Sequence, residues 1–142
     1  MGVLAHNRLA LWRDRRKEYV KGYADFRDSF DYAVDQIKTR NTTLNLIILG
    51  EFPKHDIAMT KFVGYLKGKR LNRFKENWEK YKHEYQKFNG VHVAFVASIN
   101  LLPYTEAPKN EEDLLKHTEM EYEYILSLIH SILKETKLKT WL

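Results

Sequence analysis

Two pairs of side chains have the spacing of metal half-sites: Glu79 with His83, and His117 with Glu121. Residues four apart on a helix lie one above the other, so each pair offers a carboxylate and an imidazole to one side. Two such pairs on facing helices would hold a divalent cation and support metal-assisted hydrolysis. The Glu-x-x-His unit of bundle di-metal sites occurs nowhere in the chain, however. The other histidines, His6, His55, His92 and His130, are scattered, and the chain has no cysteine. That removes a thiolate nucleophile, a disulfide framework and a Cys-based zinc site. Ser127, His130 and Ser131 share a helix without an acid nearby to orient the imidazole, which leaves a triad incomplete.

Phosphate loops, nucleophile elbows and dinucleotide fingerprints are absent. So is the Arg-x(4–6)-His spacing of small helical ribonucleases, and Glu111 to Glu123 do not match the paired-Glu helices of all-α nucleotide pyrophosphatases. A metal-dependent enzyme therefore stands third among the function classes, with no catalytic, metal or cofactor residue assigned and no cofactor implied.

The stronger signal is charge. The net charge is +5, unevenly spread: residues 61–87 carry nine basic and three acidic side chains, residues 106–123 two basic and seven acidic. Cations interleaved with Trp and Tyr over residues 67–87 resemble a nucleic-acid surface. On a helix, Arg73, Lys80 and Lys87 form one column, and Lys69 opens the segment. These four are the candidate phosphate contacts. Against this, Lys75–Glu79, Glu76–Lys80 and Lys80–Glu84 are four apart and can pair locally, which would make the segment a solvated, salt-linked face. Arg13, Arg15, Arg16, Lys17 and Lys21 form a second basic cluster on an amphipathic stretch, blunted by Asp14 and Glu18.

The elements that must position these groups are helices. Apolar residues step three and four at a time through Leu9, Trp12, Tyr19, Tyr23, Phe26, Phe30, Ala33 and Ile37. They do so again through Leu71, Phe74, Trp78, Tyr81, Tyr85 and Phe88, and through Leu115, Tyr122, Ile125, Ile129 and Ile132. That spacing puts each set on one stripe of an α-helix, where aromatic residues serve as core. Arg16 interrupts the first stripe, either to meet an acid of the last helix or because the helix projects beyond the core there.

The pattern predicts a first helix from Asn7 to Lys38, with Gly22 a point of possible bending, and a second starting near Pro53 and ended by Gly68. A third helix is expected from Lys69 to Phe88, stopped by Asn89-Gly90, and a last one capped by Asn110. Residues 44–49 (LNLIIL) fit a short strand, a buried loop or a helical turn. Residues 91–102 read as a short separate helix, since a strand there would find only residues 44–49 to pair with. The fold class is all-α: one domain over residues 1–142, a small bundle of three long helices plus one or two short ones.

Residues 57–81 contain Ile57-Ala58, Phe62, Tyr65-Leu66, the basic turn Lys69-Arg70, and then Phe74-x-x-x-Trp78-x-x-Tyr81. Together with Phe26, Phe30, Ala33 and Ile37, this pattern over residues 25–88 resembles uncharacterised bacterial and prophage-borne small helical proteins. The resemblance implies a helical protein in a mobile-element setting and transfers no activity or site residue. No run approaches the roughly 20 apolar residues of a membrane span, and a signal peptide's apolar core is missing. The expectation is thus a cytoplasmic interaction or accessory module acting through a protein partner or self-association, a homodimer being one form. Its alternative is a nucleic-acid-binding accessory protein using residues 67–87.

Overall fold

The computed structural model describes residues 2–98 and 111–137, with side chains described for residues 5–90, 112 and 115–137. Four α-helices and one 3-10 turn make up almost all of it: α1 (Gly2–Thr39), α2 (Leu44–Phe62), the turn Val63–Tyr65, α3 (Gly68–Ser98) and α4 (Glu111–Thr136). No strand occurs among the described residues. α1 packs most extensively on α2 and α3 on α4, while α2 meets α3 and α4 closes the ring back onto α1. Phe26 meets Phe62, Phe52 meets Tyr85 and Arg73 meets Glu135, so sequential helices run antiparallel in an up-down-up-down bundle.

Its core is the meeting of the stripes. Phe26, Phe30, Ala33 and Ile37 of α1 face Ile47, Ile48, Phe52 and Phe62 of α2, Phe74, Trp78 and Tyr81 of α3, and Ile125, Ile129 and Ile132 of α4, all buried. Phe26 stacks on Phe62 at 5.0 Å and Phe52 on Tyr85 at 4.2 Å between ring centroids. The aromatic stripes therefore satisfy one another within one chain from Phe26 onward.

Several boundaries depart from expectation. α2 begins at Leu44, ahead of Pro53, and absorbs both Gly50 and Pro53. Leu44, Ile47, Ile48 and Phe52 share one face and are 5% exposed or less. Burying four such side chains contributes roughly 6–12 kcal/mol, against about 4 kcal/mol for an interior Gly and Pro, so packing wins. Residues 44–49 are accordingly helix. α2 ends at Phe62 rather than at Gly68, and Gly68 adopts φ +62° as it opens α3. A left-handed residue at that turn is a conformation that glycine takes without a Cβ penalty. Asn89-Gly90 does not stop α3, which continues to Ser98, so residues 91–98 extend it instead of forming a separate helix. The rest of the 91–102 segment and the Asn110 cap lie outside the described residues. α1 does not break at Gly22.

Both ends of the bundle are tied across helices. At one end Arg40, left-handed at φ 55°, closes α1. Its guanidinium donates to the Ile37 carbonyl, pairs with Glu119 and Glu123 of α4, and lies 4.3 Å from the centroid of the Tyr122 ring. The Tyr122 hydroxyl donates to the Thr42 carbonyl at 2.9 Å. At the other end the Tyr19 hydroxyl donates to the Thr136 carbonyl at 2.7 Å, and the Arg70 guanidinium donates to the carbonyls of Glu135 and Lys137. These donors satisfy the carbonyls that a helix C-terminus leaves open.

Candidate functional site

Trp12 occupies the first stripe at the same helical spacing as the core residues, yet it is 51% exposed, as are Leu9 (54%) and Leu11 (57%). Every residue described from 5 to 18 is exposed except Arg16, which is half-buried. The stripe runs past the end of the bundle, where the described residues leave about half of each of these apolar side chains uncovered. Arg16 lies half-buried in this projecting segment, its guanidinium 5.5 Å from the Trp12 ring centroid in a cation–π contact.

Where α1 leaves the bundle, the turn after α2 and the start of α3 come up beside it. A groove of about 320 Å³ opens between them, lined by Trp12, Arg15, Arg16 and Tyr19 on one side. Tyr65, Leu66, Lys67 and Arg70 line the other. Among the described residues four cations line this groove and no carboxylate does. Arg15 and Arg16 of one basic cluster thus meet Lys67 and Arg70 of the other, some fifty residues away in the chain.

The walls are built into the fold. Arg70 lies 5.8 Å from the Tyr19 ring centroid, and its hydrogen bonds to the end of α4 hold it in place. Burial raises the Tyr19 phenol above its ordinary pKa, opposed by the nearby Arg70 charge and reinforced by Tyr23. Tyr65 packs edge-on to Tyr19 at 6.1 Å and lies against α1 at Gly22, where a Cβ would fall 2.8 Å from its ring. Gly22 therefore serves close approach. The far side of Tyr65 borders a second hollow of about 410 Å³ lined by Asp25, Lys54, Ile57 and Lys61 among others.

The four residues singled out from sequence all lie on α3, with different commitments. Arg73 donates to both carboxylate oxygens of Glu135 at 3.1 Å, and Lys87 pairs with Glu84 at 3.2 Å. Lys69 and Lys80 are exposed and have no ion-pair partner among the described residues. Glu84 takes Lys87 rather than Lys80, three residues away instead of four.

The metal half-sites stay apart. His117 pairs with Glu121 at 3.2 Å on α4, Glu79 and His83 are exposed on α3, and no three His, Asp or Glu residues form a cation-holding group among the described residues. Ser127 and Ser131 donate to the carbonyls of Tyr124 and Ser127, so both hydroxyls are spent within α4.

The histidine that matters to the structure is one the sequence did not distinguish. His55 is wholly buried, its ring stacked on Phe30. Nε2 lies 3.0 Å from the Ser29 carbonyl, which can only accept, so Nε2 carries the proton. Nδ1 then accepts from the Tyr81 hydroxyl at 2.8 Å. Burial foremost lowers the His55 pKa to about 4, with the Ser29 hydrogen bond opposing and Lys54 assisting. Burial also raises the Tyr81 phenol, with Glu51 reinforcing it. Closed to solvent and fully paired, the cluster joins α1, α2 and α3 and offers no reacting atom.

No protein-family model, no curated protein and no solved structure matches the chain. No helix among the described residues is long and apolar enough to cross a membrane.

Sequence reading found Arg15 and Arg16 as part of one cluster and the basic turn as part of another, but not their union. The available signal was the basic run Lys67-Gly68-Lys69-Arg70 after an apolar helix. What was missing was the antiparallel packing that brings it to Trp12.

Proposed function

We propose that the chain is an interaction or accessory module in which a rigid four-helix core holds out the first half of α1 to an anionic partner. The observation that carries this is the exposure of Leu9, Leu11 and Trp12 on a helix continuous with the core. Leu9 and Trp12 share one side of the helix, and exposed apolar side chains adjoining one another among cations mark a contact surface. Residues 5–18 hold five Arg and Lys against two acids. A second copy laid along the same segment would bring like charges together, which disfavours a homodimer built on it. The resemblance of residues 25–88 to prophage-borne helical proteins supports an accessory role in a mobile element.

The alternative, phosphate contacts along α3 through Lys69, Arg73, Lys80 and Lys87, draws support from Lys69 and Lys80. It is weakened by the pairing of Arg73 and Lys87 within the chain.

Size-exclusion chromatography with light scattering, recorded at 260 and 280 nm on protein purified at low salt, tests the module. A complex above monomer mass that is lost when Leu9 and Leu11 are changed to Ser supports it. A bare monomer that captures nothing, with or without those changes, counts against it.

A further inference from the structure

We infer that the groove between α1 and the α2–α3 turn binds single-stranded nucleic acid, with Arg15 and Lys67 on phosphates and Trp12 and Tyr65 stacking on bases; this rests on the α1 end being the docking element. Arg15 and Lys67 are exposed, line opposite walls and have no ion-pair partner among the described residues. A groove that, among the described residues, presents the unpaired cations Arg15 and Lys67 on opposite walls and no carboxylate has the charge complement of a phosphate chain. Trp12 at 51% and Tyr65 at 40% exposed line the groove beside those cations. Cations that track a backbone next to exposed aromatic platforms are the arrangement by which proteins hold single strands. Duplex DNA would supply phosphates but keep its base faces stacked, leaving both rings unused. An acidic peptide would satisfy the cations, but it brings no row of planar bases to stack on both rings.

Arg70 contributes field rather than a free hand, since its donors are already held by the end of α4. Gly22 fixes the Tyr65 platform by letting the ring lie against α1.

Fluorescence anisotropy with labelled oligothymidylate on the full chain tests the assignment. With two phosphates neutralised at a slope of about −0.7 each, affinity falls about sevenfold from about 50 to about 200 mM salt. Arg15→Gln with Lys67→Gln abolishes that dependence. Trp12→Ala weakens binding by about fivefold or more and leaves the slope intact, as loss of one stacking contact requires. Lys69→Gln with Lys80→Gln changes neither. All these positions are exposed, and circular dichroism of each variant verifies the fold.

A Lys69/Lys80 variant that loses binding as fully as the Arg15/Lys67 variant would move the phosphates to α3 and overturn the inference. Tighter binding of the matching duplex, or of phosphatidylserine vesicles, would overturn it as well. Absence of oligonucleotide binding alongside a Leu9/Leu11-dependent protein complex sinks the inference and leaves the module standing. Absence of both sinks the two together.

Discussion

The imidazole of His55 lies flat on the ring of Phe30, 3.9 Å between centroids and 17° from parallel. Its two nitrogens reach the Ser29 carbonyl on α1 and the Tyr81 hydroxyl on α3, so one side chain of α2 fastens three helices. The folded protein accepts this ring only as the neutral tautomer.

Stability should therefore fall as the solution is acidified. The His55 pKa drops from 6.5 to about 4 on folding. Between those values the unfolded chain binds a proton that the folded chain refuses, so unfolding is favoured as pH decreases. The stabilisation is whole above pH 6.5 and is lost progressively down to about pH 4, on the order of 3 kcal/mol in all. Urea melts across that range should show a shallower loss for His55→Phe than for the parent chain. Equal slopes would refute the assignment. Tyr81→Phe, which strands the buried Nδ1 without a donor, should cost about 1–3 kcal/mol at neutral pH.

Gly22 and Tyr65 should behave as a coupled pair. Gly22→Ala gains about 1 kcal/mol of helix propensity, but its Cβ meets the Tyr65 ring at 2.8 Å. In the parent the two effects should nearly cancel. In a Tyr65→Ala background the gain should appear in full, raising the melting temperature. Additive effects in a double-mutant cycle would mean that the ring does not rest on α1.

Arg40 sits at φ 55°, where a side chain is strained, yet it bridges to Glu119 and Glu123 and covers Tyr122. Its hydrogen bond holds the Glu119 carboxyl below the usual carboxylate range. Arg40→Ala keeps the strain and loses the contacts. Arg40→Gly loses the contacts and relieves the strain, so it should be the more stable of the two by about 1 kcal/mol in chemical denaturation. The reverse order would show that the turn is not held in the left-handed conformation.

Trp12 and Trp78 offer the sharpest contrast in packing. Trp78 is 2% exposed and stacks on Phe52 at 5.5 Å, so Trp78→Ala should cost about 3–5 kcal/mol. Trp12→Ala should change stability by no more than about 0.5 kcal/mol, because the described residues leave it half exposed. A large loss at position 12 would mean that the outer half of α1 is packed.

That contrast also shows what was legible in the chain. Periodicity identified the helices and the face each turns inward, and from Phe26 onward in α1 that face is core. It could not tell that Leu9 and Trp12 run beyond the reach of α2 and α4, because spacing names a side and not its cover. Residues 44–49 were ambiguous because a short apolar run fits a strand or a buried helix equally. Pro53 looked like a start because the tertiary gain from Leu44, Ile47 and Ile48 is invisible locally. His55 was one of six histidines, since Ser29 and Tyr81 lie twenty-six residues to either side. The groove was legible only as two separate basic runs.

α1 runs unbroken for 38 residues, about 57 Å of rod at 1.5 Å per residue. Its interior glycine, Gly22, lies against the Tyr65 ring about one turn inside the point, near Tyr19, where the rod leaves the bundle. With no hinge between grip and body, whatever seizes residues 5–18 is held at a set bearing to the other three helices. The protein is built as a bracket rather than a tether.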